Sequence, residues 1–128
     1  MRVVRSSGSE IERALGKALW NIGLRYRKNN RHIFGKPDFT LRRLKIAVFA
    51  DSEFWHGKDW SVRKHEHKSN IDFWHKKIEG NIQRDRLVNK TLKSAGWVVF
   101  RFWGREIMRD AKGCTEKIRK IANERGLE

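Results

Sequence analysis

Between His32 and His56 the chain reads HIFGKPDFTLRRLKIAVFADSEFWH, and this stretch gathers groups able to do metal and acid–base chemistry. Asp38 follows the only proline, Pro37. Asp51 and Glu53 follow an unbroken apolar run, Ile46 to Ala50, and His56 stands just beyond them. Alternating Phe39, Leu41 and Leu44, a basic turn at Arg42-Arg43 and the apolar run predict a hairpin: an amphipathic strand, then a strand buried on both faces. In an antiparallel pair the start of one strand lies beside the end of the other, so Asp38 and Asp51 are expected to be close neighbours. Carboxylates that close repel unless positive charge holds them, and a divalent cation is the usual solution.

The elements that must position these groups follow from the rest of the pattern. Ile11, Ala14, Leu15, Ala18, Leu19 and Ile22 have helical spacing, Ser9 and Glu12 form an S-x-x-E capping pair, and Gly23 stops the helix. Residues 1–8 are basic and small, and are expected to be flexible until bound. Leu24 to Arg27 alternates and predicts a first strand, and Gly57 to Ser69 has no period and reads as loop. A long helix is expected from about Asn70 to Ala95, closed by Gly96. Trp97 to Trp103, WVVFRFW, has the branched and aromatic content of a buried strand. Thr115 to Glu124 reads as a last helix with Ile118, Ile121 and Ala122 inward. The order αβββαβα predicts an α/β domain, a mixed central sheet flanked by helices in three layers.

The long helix carries an irregularity. Its inward stripe of Trp74, Ile78, Ile82, Val88, Leu92 and Ala95 also includes Asn81 and Asp85. A carboxylate facing a core needs a partner, because burying it unpaired costs several kcal/mol. An ion pair to a basic side chain is one account of Asp85; a place at the sheet edge beside Asp38, Asp51 and His56 is the other.

Composition narrows the partner. The 128 residues fit a single domain, 1–128, and carry 30 Lys and Arg against 15 Asp and Glu, a net charge of +15. That charge is spread along the chain and calls for a polyanion, nucleic acid first and an anionic membrane second. No apolar run has transmembrane length, and the start lacks the apolar core of a signal peptide, so a cytoplasmic protein with no membrane partner is expected. The single Cys114 allows no intramolecular disulfide. Phosphodiester hydrolysis matches the groups present. Mg²⁺ on two carboxylates, with Mn²⁺ as a substitute, supplies a Lewis acid and orients water. His56 can move a proton near neutral pH. Arg42, Arg43, Lys45, Arg63, Lys64, Arg84 and Arg86 are candidates for phosphate contact. Taken singly, most of these residues have ordinary accounts: Glu12 as a capping residue, Asp38 as a turn residue, His56 as a surface imidazole, Trp74 as core. Phe54 and Trp55, adjacent at a strand end, are expected to face opposite ways, leaving one ring outward for base stacking. His65-Glu66-His67 reads as a solvated charged loop.

GKPDF, then IAVFADSEFWHG, then FWHKKIEGNIQRDR, then a strand led by Gly-Trp and ending in Trp, resemble the very short patch repair endonucleases over roughly residues 6–108. The resemblance implies a restriction-endonuclease-like fold and an enzyme that nicks double-stranded DNA beside a T:G mismatch. It places the magnesium-binding aspartate on Asp38, the histidine near the attacking water on His56, the first-helix glutamate on Glu12 and the aspartate of the NxxRD segment on Asp85. The aromatic wedge that enters between bases falls on Phe54, Trp55 and Trp74. Homing endonucleases built on this domain share the set Glu12, Asp38, His56 and Asp85.

Departures accompany the likeness. A Thr-His pair of the family is replaced by Ala50-Asp51, which adds a carboxylate and makes Asp51 a candidate metal ligand beside Asp38. The family's structural zinc is held by three cysteines and a histidine, and those positions hold Glu53, Lys58, Trp60 and Arg105, so no such zinc is expected. The reading is a Mg²⁺-dependent DNA endonuclease of this repair type, working as a monomer or as one domain of a larger assembly. A mobile-element nuclease without T:G recognition and a non-catalytic DNA-binding module are the alternatives.

Overall fold

The computed structural model describes residues 2–63 and 71–126. Helix α1 spans Arg2–Asn21, followed by strands β1 (Arg27–Lys28) and β2 (Phe39–Leu41), a 3-10 turn (Arg42–Leu44) and β3 (Ile46–Asp51). A short helix α2 (Trp60–Arg63), the long α3 (Ile71–Ser94), β4 (Val98–Trp103) and α4 (Gly104–Glu124) complete the order. The sheet runs β1-β2-β3-β4, antiparallel across the first two junctions and parallel between β3 and β4. It is the mixed sheet between helices that the sequence pattern predicts.

β3 explains its own unbroken apolar run. Ile46 and Val48 face a core that includes Leu15 and Leu19 of α1 and Ile107 and Ile118 of α4. Ala47 and Phe49 face Val88 and Leu92 of α3. Period-two alternation puts side chains on both faces, and both faces are covered by helices. The same alternation sends Asp51 to the α3 face, where α3 offers Asp85. On β4, Phe100 and Phe102 take the α1/α4 side with Val98, while Val99 packs toward α3.

Three boundaries differ from expectation. α1 runs through Ser9, so Ser9 and Glu12 lie inside the helix rather than forming its cap. Gly8 is the residue in that stretch that most opposes a helix, by roughly 1 kcal/mol against alanine. β1 is two residues long at Arg27–Lys28 because Leu24 closes α1 instead: Gly23 N–H donates to the Trp20 carbonyl and Leu24 N–H to the Leu19 carbonyl, and Leu24 is buried. α4 starts at Gly104, not at Thr115, and bends at Asp110, whose Oδ1 accepts from Gly113 N–H and restarts the helix. Within the expected loop, Trp60–Arg63 forms α2; Lys64 and His65-Glu66-His67 lie outside the described residues.

The turn carrying His56 passes under α3 at Gly57, which has φ +66 and sits where an added Cβ would collide with the Ile82 side chain. Gly57→Ala therefore combines a left-handed backbone with overpacking, and is expected to lower stability by on the order of 1–3 kcal/mol. Urea unfolding of the variant beside the wild type measures it; an unchanged midpoint would show that the turn has room to shift.

Candidate active site

Two carboxylate groupings line one cavity of about 390 Å³ at the ends of β2 and β3, together with His56, Arg84 and Arg101. The first grouping is built on the α3 face. Asp85, on the helix stripe, approaches His56 Nδ1 with Oδ2 at 2.6 Å. A carboxylate only accepts, so this contact places a proton on Nδ1 and leaves Nε2 of a neutral ring as a free acceptor. Nε2 lies 3.7 Å from Asp51 Oδ1. Asp51 is 4% exposed, and Arg101 Nη1 donates to both its oxygens at 3.2 and 3.1 Å. The same Nη1 is 3.5 Å from Asp85 Oδ1. Burial opposes a charged His56 ring, but the Asp85 hydrogen bond and the charges of Asp51 and Asp85 outweigh it and raise its pKa above the usual imidazole value. Burial also raises the pKa of Asp51, against the pull of His56 and Arg101.

The second grouping is Glu12 and Asp38. Helix α1 delivers Glu12 to the cavity, and Asp38 precedes β2, where its Oδ2 accepts from Ala50 N–H at 2.7 Å. Burial, and after it the neighbouring charges of Glu12 and Asp51, push Asp38 up to about 7, against the Ala50 hydrogen bond. No described basic side chain forms an ion pair with Glu12 or Asp38. Burial and the nearby Glu12 favour the protonated form of Asp38 instead. Acidic oxygens held together without a counter-charge are a donor set that suits a hard divalent cation. Asp51, His56 and Asp85 also present ligand-type atoms within 4.8 Å of one another, but Arg101 is already among them.

Phe54 and Trp55 lie on the turn beyond β3, not at a strand end. Their rings therefore do not diverge: they meet at 4.8 Å and both contact Trp74, at 5.8 and 5.3 Å. Asn81 Nδ2 fixes the turn to α3 by donating to the Trp55 carbonyl. Arg84 and Arg86 are exposed at the cavity and at its neighbour on the α3 side. Arg42 and Arg43 are not near it: they form the turn at the far end of the hairpin, and the five steps from Ile46 to Asp51 span roughly 17 Å. Arg63 ends α2, with its side chain undescribed.

Of the positions where the resemblance puts zinc ligands, Glu53 accepts from Arg105 N–H at the start of α4 (2.7 Å) and from Lys58 N–H through its carbonyl, and Trp60 Nε1 donates to Glu79. Sequence reading missed Arg101. The signal was present, since a single cation inside the strand Val98–Trp103 needs a partner as much as Asp85 does on its stripe.

Comparison with known proteins bears on this geometry. The family described as DNA mismatch endonuclease Vsr matches residues 1–62. The type II nicking enzyme V.HpaIIP of Haemophilus parainfluenzae is 52% identical over 121 residues, 94% of this chain and 86% of that protein. V.NmeDIP of Neisseria meningitidis serogroup C, also named a type II nicking enzyme, is 51% identical over 128 residues, 99% of this chain and 86% of that protein. The DNA mismatch endonuclease Vsr of Escherichia coli K12 is 30% identical over 123 residues, 92% of this chain and 78% of its own length. With relatives this similar over nearly the whole chain, the chain belongs to the Vsr family of DNA endonucleases and has its restriction-endonuclease-like fold.

Proposed function

We propose that this chain is a Mg²⁺-dependent nicking endonuclease acting on mismatched double-stranded DNA, with residues 1–128 working as one monomeric nuclease domain in the cytoplasm. The observation that carries the reading is His56, held through Nδ1 by Asp85 with Nε2 turned toward the cavity that Asp38, Glu12 and Asp51 line. The names of the relatives favour a nick over mobile-element cleavage.

The donor set fits a divalent ion on Asp38 with Glu12 beside it, Asp51 being held by Arg101, and Mg²⁺ bound there would supply a Lewis acid at the phosphate. The chain's own residues do the rest. His56 Nε2 takes the proton from the attacking water, and Asp85 holds the reactive tautomer and stabilises the imidazolium that forms. The water oxygen bonds to phosphorus, the bond from phosphorus to O3′ breaks, and the departing oxygen takes a proton from solvent water. Arg84 and Lys36, exposed at the mouth of the cavity, hold the backbone by charge. The ring cluster of Phe54, Trp55 and Trp74 is suited to stack against a displaced base. Arg86 sits to hold flanking phosphate; Arg42 and Arg43 can contact only more distant duplex.

A supercoiled plasmid incubated with Mg²⁺ or EDTA tests the reaction. Nicking is expected only with the metal, and is expected to fall about 100-fold or more in Asp38→Ala and His56→Ala. Equal nicking by the His56 variant would remove it from the mechanism. Synthetic duplexes with and without one T:G pair test the substrate: faster cutting of the mismatched duplex is expected, and equal rates on both would overturn that part of the reading.

The Asp38 site has a measurable cost. Its pKa is about 7 folded against an ordinary 3.8, so between those values the folded state binds more protons and metal-free stability falls as pH rises. Asp38→Asn removes that loss. In EDTA its Tm is expected to exceed the wild type's by several degrees at pH 8 and to converge with it near pH 4. Mg²⁺ at pH 8 is expected to raise the Tm of the wild type but not of the variant.

A further inference from the structure

Arg101 is held from four directions. Register on the sheet pairs its Cα with that of Phe49, and the guanidinium carbon lies 3.9 Å from the Phe49 ring centroid. Nε donates to Asn89 Oδ1 at 2.7 Å. Nη1 serves both oxygens of Asp51 and stands 3.5 Å from Asp85. Its side chain is 17% exposed, and those of Asp51 and Asp85 are 6% and 21% exposed. An arginine keeps its charge throughout the accessible pH range and is planar, so it can span two carboxylates in a fixed geometry.

The location gives this pairing its meaning. Asp51, His56 and Asp85 bring three ligand-type atoms within 4.8 Å of one another, a spacing at which a metal ion could be held. The guanidinium already occupies the charge balance of that cluster, and a dication added there would face a fixed positive charge across a few ångströms of partly buried space. No described cation plays the same part for Glu12 and Asp38. The cavity is thus divided into one half whose carboxylates share a cation of the protein itself and one half left for an ion.

We propose that Arg101 is a positioning residue standing in for a second metal ion. It holds Asp51 and Asp85 in place, so that Asp85 stays against His56 Nδ1, and it restricts the cavity to one divalent ion on the Asp38 side. This rests on the metal-dependent reading above. Arg101 touches no reacting atom; it acts through the two carboxylates. Asn89 fixes the guanidinium plane and belongs to the same device.

Counting bound Mn²⁺ by electron paramagnetic resonance and calorimetry on the full chain tests it. The wild type is expected to bind one ion. Arg101→Gln is expected to bind a second, and to nick about 10–100-fold more slowly. Arg101→Lys, which keeps the charge but loses the fork, is expected to return to one ion with partial recovery of rate. The double variant Asp38→Asn/Arg101→Gln is expected to keep one ion, now on the Asp51 side. Two ions on the wild type would overturn the proposal without recourse to any variant, as would a single ion on folded Arg101→Gln. No ion on the wild type would overturn the metal-dependent reading itself, and the role given to Arg101 with it.

Discussion

Acidic side chains gathered at the end of a buried hairpin set the terms for the rest of the molecule. The β2–β3 pair brings Asp38 and Asp51 to one end, α1 adds Glu12 and α3 adds Asp85. So much negative charge withdrawn from water has to be balanced locally. The molecule uses three means: a guanidinium from β4 for Asp51 and Asp85, an imidazole between the same two, and a pKa for Asp38 raised by burial and by Glu12, which favours its protonated form. Only that proton can be displaced by an incoming ion. The distinction between fixed and exchangeable counter-charge is what separates a structural salt-bridge network from a place where a metal can bind.

The net charge belongs to the same economy at a larger scale. A chain at +15 draws in a polyanion, yet the cavity at its centre is lined with acids and would repel a bare phosphate. Long-range attraction and short-range repulsion coexist because they act over different distances: the surface field extends over about a Debye length of 8–10 Å, while the cavity charges act at contact. A bound cation reconciles them.

Much of this was legible in residue order. The hairpin was readable because alternation on β2 and an unbroken run on β3 have different physical causes, one covered face against two. Asp85 stood out because a carboxylate on an apolar stripe contradicts its neighbours. The same argument applied to Arg101, but a basic residue in a chain with thirty of them draws less notice. Arg42 and Arg43 show the effect of the strand on distance. Four and five positions from Asp38 in sequence, they are carried away from it by the strand between. Leu24 looked like a strand residue and serves instead to close a helix, and Gly113 with Asp110 hid the first half of α4 by interrupting its period. Such features depend on which partner a residue finds, and that is decided by tertiary packing.

The parallel pairing of β3 with β4 joins Asp51 to a guanidinium fifty residues later in the chain. Every part of the cavity up to Asp85 is synthesised before the group that neutralises it. A nascent chain that has left the ribosome as far as α3 holds its acids and its histidine without the strand that orders them. Contacts of long sequence separation carry a large loop-closure cost and slow folding. The cluster of Asp51, His56 and Asp85 therefore lacks its guanidinium until β4 has been synthesised and has joined the sheet.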